Sequence, residues 1–163
     1  MRDANDMFNR YYCPIGFIHG MVFGDGYYNK EWNFCTLDLC GDSKQLVKYF
    51  KGFNWKIFTQ DDKIRISYLP NYMKELPDFD KVNNEYILGF IIGWFAADGT
   101  IDEKGRAALY HNNIDNLIKI KNVLESIGIY STEIKTKRDT TDIDFQGNKY
   151  HSENGYKSYS LYF

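Results

Sequence analysis

The chain has 163 residues, 44% apolar and 18% aromatic with 14 Tyr and 12 Phe, which excludes a disordered tail and allows one compact domain or two small packed halves. A net charge of −2 excludes a protein that grips nucleic acid by bulk positive charge, so nucleic-acid affinity would need lysine and arginine gathered on one surface. The longest apolar run, residues 86–97, is too short for a bilayer, no leader peptide opens the chain, and the three cysteines lack CxxC spacing; a soluble intracellular protein with incidental thiols is the expectation.

In chain order, the first informative segment is GFIHGMVFGDG, residues 16–26. It reads as an apolar helix ending at Asp25 and Gly26. Gly16, Gly20 and Gly24 are four apart and form one bare stripe along it. A polar turn then leads to an alternating strand over residues 33–39. Asp42 or Ser43 caps a helix over residues 44–51, with Leu46, Val47 and Phe50 on one face and Gly52 as the stop. Residues 55–60 and 63–69 form a hairpin across Asp61 and Asp62. On its second strand Lys63, Arg65 and Ser67 share one face, and Ile64, Ile66 and Tyr68 the other. Residues 70–84 hold two of the three prolines and join this half to the next.

The pattern then recurs. Residues 89–99, GFIIGWFAADG, align without a gap on residues 16–26, repeating Gly-Phe-Ile, the second glycine and the terminal Asp-Gly. Gly89, Gly93 and Ala97 make the second small-residue stripe. A strand over residues 106–112 follows, then a helix over residues 114–127 capped by Asn113 and stopped by Gly128. Residues 130–137 and 156–163 are extended, with a long polar loop between them. Glu133, Lys135 and Lys137 fall on one face of the first of these strands. The expected organisation is α+β, with two αββαββ repeats over residues 1–79, including a short leader, and 80–163. The last strand reaches the chain end, so a closing helix is absent or belongs to a longer parent.

Glycine inside a helix costs about 0.5–1 kcal/mol relative to alanine. Two helices that both carry such stripes are expected to cross at close range. If they cross about a pseudo-twofold axis, Asp25 and Asp98 meet at the negative ends of two helix dipoles. Like carboxylates there repel, and a divalent cation relieves both penalties; few carboxylates completed by water and phosphate oxygens suit Mg²⁺. The plainer reading is that Asp-Gly ends a helix, Gly taking the left-handed conformation and Asp closing a turn. Recurrence in register on the same packing face favours the functional reading. His19 falls mid-helix and reads as a packed residue, and His111 and His151 lack ligand spacing.

The nonapeptides IHGMVFGDG (residues 18–26) and IIGWFAADG (residues 91–99) resemble two copies of the LAGLIDADG motif, and the element order of each half resembles that family's fold. The resemblance covers most of the chain. It implies a pseudo-symmetric saddle of two antiparallel sheets over double-stranded DNA in a monomer. It also implies phosphodiester cleavage at a Mg²⁺ site, with Mn²⁺ or Ca²⁺ as substitutes, built from Asp25 and Asp98 with the backbone of Gly24 and Ala97. The motif's sixth position, often acidic in the family, is Phe23 here and Ala96 in the second copy. Polar or basic side chains around such a centre fall by strand position on Gln60, Lys63, Lys135 and Lys137, and DNA-contacting positions on Lys63, Arg65, Ser67, Lys135, Lys137 and Arg138. A homing endonuclease of intron or intein mobility is the function this implies. The alternatives are an inactive LAGLIDADG-like maturase or regulator, a nuclease insert of a larger protein, and an α+β interaction module. The abundance of Asn, Lys, Tyr, Ile and Phe points to an AT-rich genome, hence a phage-infected cytoplasm or an organelle.

Overall fold

A computed structural model describes residues 13–145 and 148–163; residues 1–12 of the expected leader lie outside them. The chain divides into two compact units, Met1–Ala97 and Asp98–Phe163, each taken by itself below. No helix among the described residues is long and apolar enough to cross a membrane.

In the first unit, helix α1 (Pro14–Asp25) opens with Pro14 in its first turn, where a missing N–H leaves nothing unsatisfied. Residues Gly16 through Phe23 are all buried, as a helix apolar on every side requires. Helix α2 (Asn84–Asp98) is enclosed in the same way along Ile87, Gly89, Phe90, Ile91, Gly93 and Trp94. The two cross backbone against backbone. A Cβ on Gly16 would stand 2.5 Å from the Tyr86 carbonyl oxygen and one on Gly89 2.7 Å from that of Cys13. On Gly20 and Gly93 it would strike the carbonyl oxygens of Phe90 and Phe17.

Beneath α1 lies an antiparallel sheet of β1 (Tyr27–Asn29), β2 (Phe34–Cys40), β3 (Lys56–Thr59) and β4 (Lys63–Pro70), in the order β1-β2-β4-β3. The β3–β4 hairpin closes across Asp61 and Asp62, the Gln60 amide donating to the Lys63 carbonyl at 2.9 Å. Phe17, Ile18, Met21 and Val22 of α1 pack on Cys35, Leu37, Leu39, Ile66 and Leu69 of the sheet, with Phe50 and Met73 at the margins.

Two local expectations fail in this unit. The segment Gly41–Phe50 is a 3-10 helix rather than an α-helix over residues 44–51. Its apolar residues Leu46, Val47, Tyr49 and Phe50, which meet the core, repeat at intervals of three, the period of the tighter helix. In β4, Leu37 pairs with Ile66 while Cys35 pairs with Leu69, so one extra residue is inserted. Tyr68 takes it up with φ +66°. The bulge keeps both Ile66 and Leu69 in the core and turns Tyr68 out beside Ser67, not onto the apolar face with Ile64 and Ile66.

The second unit contains β5 (Gly99–Ile101), β6 (Ala107–His111), α3 (Ile114–Ser126), β7 (Lys135–Phe145) and β8 (Asn148–Tyr162), its sheet ordered β5-β6-β8-β7. The Asn113 side chain caps α3 by accepting from the Asp115 amide at 2.9 Å, and Gly128, at φ +81°, ends it. Leu117, Ile120 and Leu124 form its buried stripe, set against β6 and β8, where Leu109 and Leu161 are fully buried.

The polar loop expected over residues 138–155 is instead the end of a long hairpin, with Asp142 opposite His151 and Ile143 opposite Tyr150. Thr140, Thr141, Ile143 and Tyr150 favour extension, and the Asp142 carboxylate meets the His151 ring across the strands at 2.8 Å. Glu133 precedes β7 and pairs with Lys121 at 3.5 Å, so it does not share a strand face with Lys135 and Lys137. A second bulge, between Thr136 and Arg138, breaks the simple alternation of those lysines.

Candidate nucleic-acid interface and metal-binding residues

Asp25 is the last residue of α1 and is exposed. Gly26 after it is extended, at φ −70° and ψ 151°, and therefore is not a left-handed stop. Its amide donates to the Val22 carbonyl at 2.8 Å, and a Cβ would collide with that oxygen. Glycine is required here by contact with the helix end. Asp98 is the corresponding last residue of α2 and is half-buried.

The carbonyls of the last turn of α1 converge on one cation. Lys74, at the end of a 3-10 turn (Asn71–Lys74), donates from Nζ to the oxygens of Phe23 at 2.6 Å, Gly24 at 2.9 Å and Val22 at 3.2 Å. Its charge opposes the negative end of the helix dipole and satisfies carbonyls that the helix leaves open. Lys74 sits in the stretch read from sequence as a linker. The only hint of it there is that α1 has no basic residue in its own last turn.

His19 is buried on α1 between two fixed partners. The Tyr86 hydroxyl donates to Nδ1 at 2.7 Å, and Nε2–H donates to the Glu75 carbonyl at 2.8 Å. Both nitrogens are thus used by the neutral ring, and burial pushes its pKa below the ordinary value. Burial also raises the Tyr86 phenol to about 12. The residue is packed in the core, as the sequence reading expects.

The open face of the first sheet combines charge with rings. Asp38 accepts from Arg65 Nε at 2.7 Å, from Arg65 Nη2 at 2.8 Å and from Lys63 Nζ at 2.8 Å. Those two bases hold its carboxyl down at about 2, with the Arg65 hydrogen bond the larger cause. Asp25, Tyr27, Asn29, Thr36, Asp38 and Arg65 line a cleft of about 370 Å³. Arg65 and Ser67 both face the open side, as does Lys56, which pairs with Ser67 in register. Gln60 lies at the hairpin turn, exposed. Alternation in a β-strand located the cations, whereas Asp38, Trp32 and Tyr68 carried no signal tying them to this face.

On the second sheet Lys135 and Arg138 are exposed on β7. Lys137 is engaged within the protein, hydrogen-bonded to the Tyr162 hydroxyl and 5.4 Å from its ring centroid. Arg106 lies over the same ring at 5.0 Å and is ion-paired to Asp102 at 2.6 Å. The half-buried Ala97 precedes Asp98. Among the described residues no cluster of three or more His, Cys, Asp or Glu side chains is assembled for a metal.

Residues 85–156 match the LAGLIDADG-like domain family. No curated protein matches the chain. Among solved structures, the full-length DUF199/WhiA from Thermatoga maritima is 12% identical with a TM-score of 0.56, over 91% of this chain and 49% of that one; the chain thus spans about half of that relative. The N-terminal LAGLIDADG domain of DUF199/WhiA is 12% identical with a TM-score of 0.53, over 91% and 74% of the two chains. I-DmoI in complex with DNA and Mn is 16% identical with a TM-score of 0.54, over 91% and 88%. At such identities the likeness is one of fold. Two in-register motifs, two antiparallel sheets and these matches agree: the chain has the LAGLIDADG fold, and its residues 85–156 match the LAGLIDADG-like domain family.

Proposed function

We propose that the chain is a homing-type endonuclease that cuts double-stranded DNA with Asp25 and Asp98 as its metal-holding carboxylates, its halves over residues 1–79 and 80–163 being duplicated repeats. The observation that carries this reading is the pair of helices crossing on bare glycines, each ending in an aspartate. The donors are all oxygen, from carboxylates and, by position, the Gly24 and Ala97 backbone, which fits a hard divalent cation. I-DmoI has been solved with DNA and Mn or Ca, and in a variant form with Mg, in keeping with Mg²⁺ as the resident ion.

When bound, such an ion supplies a polarised phosphate and an activated water. The protein's own residues hold and orient. Lys74 fixes the last turn of α1 and thereby the direction of Asp25. Gln60, Lys63, Lys135 and Lys137 are proposed to stand around the cleavage centre, and Lys63, Arg65, Ser67, Lys135, Lys137 and Arg138 to contact DNA, from strands that present side chains to a groove. A host gene in a phage or organelle, a monomeric state and an intracellular setting belong to the same proposal.

A second reading is a LAGLIDADG-fold binding protein that does not cut. The likeness to DUF199/WhiA and the Lys74 ammonium on the Gly24 carbonyl favour it. The two separate in a cleavage selection on a randomised duplex library with Mg²⁺. The endonuclease reading expects a cut site, with cleavage falling at least about a thousandfold in Asp25→Asn or Asp98→Asn while binding persists. Selective binding with no cut product, or undiminished cutting by both variants, overturns it.

A further inference from the structure

The open face of the first sheet exposes large aromatic rings. Trp32 is 66% exposed and Tyr68 52%. With Phe34, whose ring lies 4.6 Å from that of Tyr68, they wall a cleft of about 280 Å³, near the small end of ligand sites at about 300–1,000 Å³. Thr36, Ser67 and Arg65 supply polar groups to the same cleft.

Backbone strain is spent to build it. An aromatic residue at positive φ is an outlier, and Tyr68 adopts φ +66°. Without the extra residue, alternation would carry its ring into the core. Cations frame the cleft: Lys56 Nζ lies 5.2 Å from the Tyr68 ring centroid, and Arg65 spends two of its N–H donors on Asp38, leaving others for an acceptor. On this face Lys56, Lys63 and Arg65 outnumber the one strand carboxylate, Asp38, so the charge suits a phosphate backbone.

Paired bases offer a groove reader only their edges, since their faces are stacked on neighbours. Aromatic rings gain little from edges and much from the face of an unstacked base. We propose that the cleft between Trp32, Phe34 and Tyr68 holds a single unpaired base of bound DNA, stacked on these rings while Thr36, Ser67 and Arg65 meet its polar edge. This deepens the DNA-binding reading and rests on it.

The test compares two short duplexes of equal length at low ionic strength, one intact and one with a single bulged thymine. The bulged duplex is expected to bind about tenfold tighter, and 2-aminopurine placed at the bulge to be quenched by the unaltered protein, a readout that needs no variant. Tyr68→Ala and Trp32→Ala are expected to erase the preference while intact-duplex affinity and circular dichroism persist. Equal affinity for the two duplexes, or no quenching, overturns the base site and leaves DNA binding standing. Loss of affinity for both duplexes alike in the variants also overturns it, because the rings then serve general contact. Failure of both duplexes to bind overturns this inference together with the reading beneath it.

Discussion

Lys74 shows how much one side chain can do at a helix end. Its ammonium reaches three carbonyls of α1 from a separate turn, and no residue of that helix's own last turn is basic. Lys74→Met keeps the aliphatic stem and removes the donor, leaving partly buried carbonyls with weaker partners. Stability should fall by about 1–3 kcal/mol, seen as a lower denaturant midpoint at unchanged slope, and Lys74→Arg should recover part of it. His19 makes a pH prediction. An unfolded histidine binds its proton near 6.5, whereas burial lowers the folded value. Below about pH 6.5 the unfolded state therefore binds more protons, and stability present at neutral pH is lost as pH falls. His19→Gln keeps a donor and an acceptor for Glu75 and Tyr86 without titrating, so thermal unfolding between pH 7 and pH 5 should lose much of that slope; an unchanged slope would assign it to other groups.

Among the elements, the pair α1 and α2 is the most constrained. At Gly93 a methyl group would meet the backbone of Phe17 and Met21, and backbone cannot turn away as a flexible side chain can. Gly93→Ala should therefore cost at least about 3 kcal/mol, the upper range of overpacking, or abolish folding. The same change at an exposed helix position would normally stabilise through propensity, so chemical denaturation reads the sign directly. The strands behave differently. Their pairing tolerates bulges, and at Tyr68 and at Thr136/Arg138 the inserted residue re-aims a side chain without breaking the ladder.

Across the whole chain the net charge of −2 argues for local rather than global attraction to DNA. The cations of the proposed contact set are Lys63 and Arg65 on one sheet and Lys135, Lys137 and Arg138 on the other, and two of these five are compensated by Asp38. Asp38→Asn should free both bases. Duplex affinity is then expected to rise, and the slope of log affinity against log salt to steepen by about 1–2, roughly one for each phosphate newly neutralised. A titration across salt concentrations that finds affinity unchanged would show that Asp38 and its partners face no phosphate.

Local chemistry made the larger features legible. A period-four recurrence of small residues announced the helix crossing because no other residue lets two backbones touch. Asn113 and Gly128 marked α3 because caps and left-handed stops depend on one residue each. What the order of residues could not convey were facts set by distant partners. The cation on the end of α1 comes from Lys74, 50 residues beyond Gly24. The outward turn of Tyr68 follows from the need to seat both Ile66 and Leu69 in the core. The continuation of the β7–β8 hairpin beyond residue 137 is not legible in the sequence because a ribbon with few buried positions shows no apolar alternation to read. Sequence by itself determined the duplicated helices and their terminal aspartates, since backbone approach admits so few side chains; tertiary structure decided which cations and rings stand around them, since those contacts are chosen by packing between segments far apart in the chain.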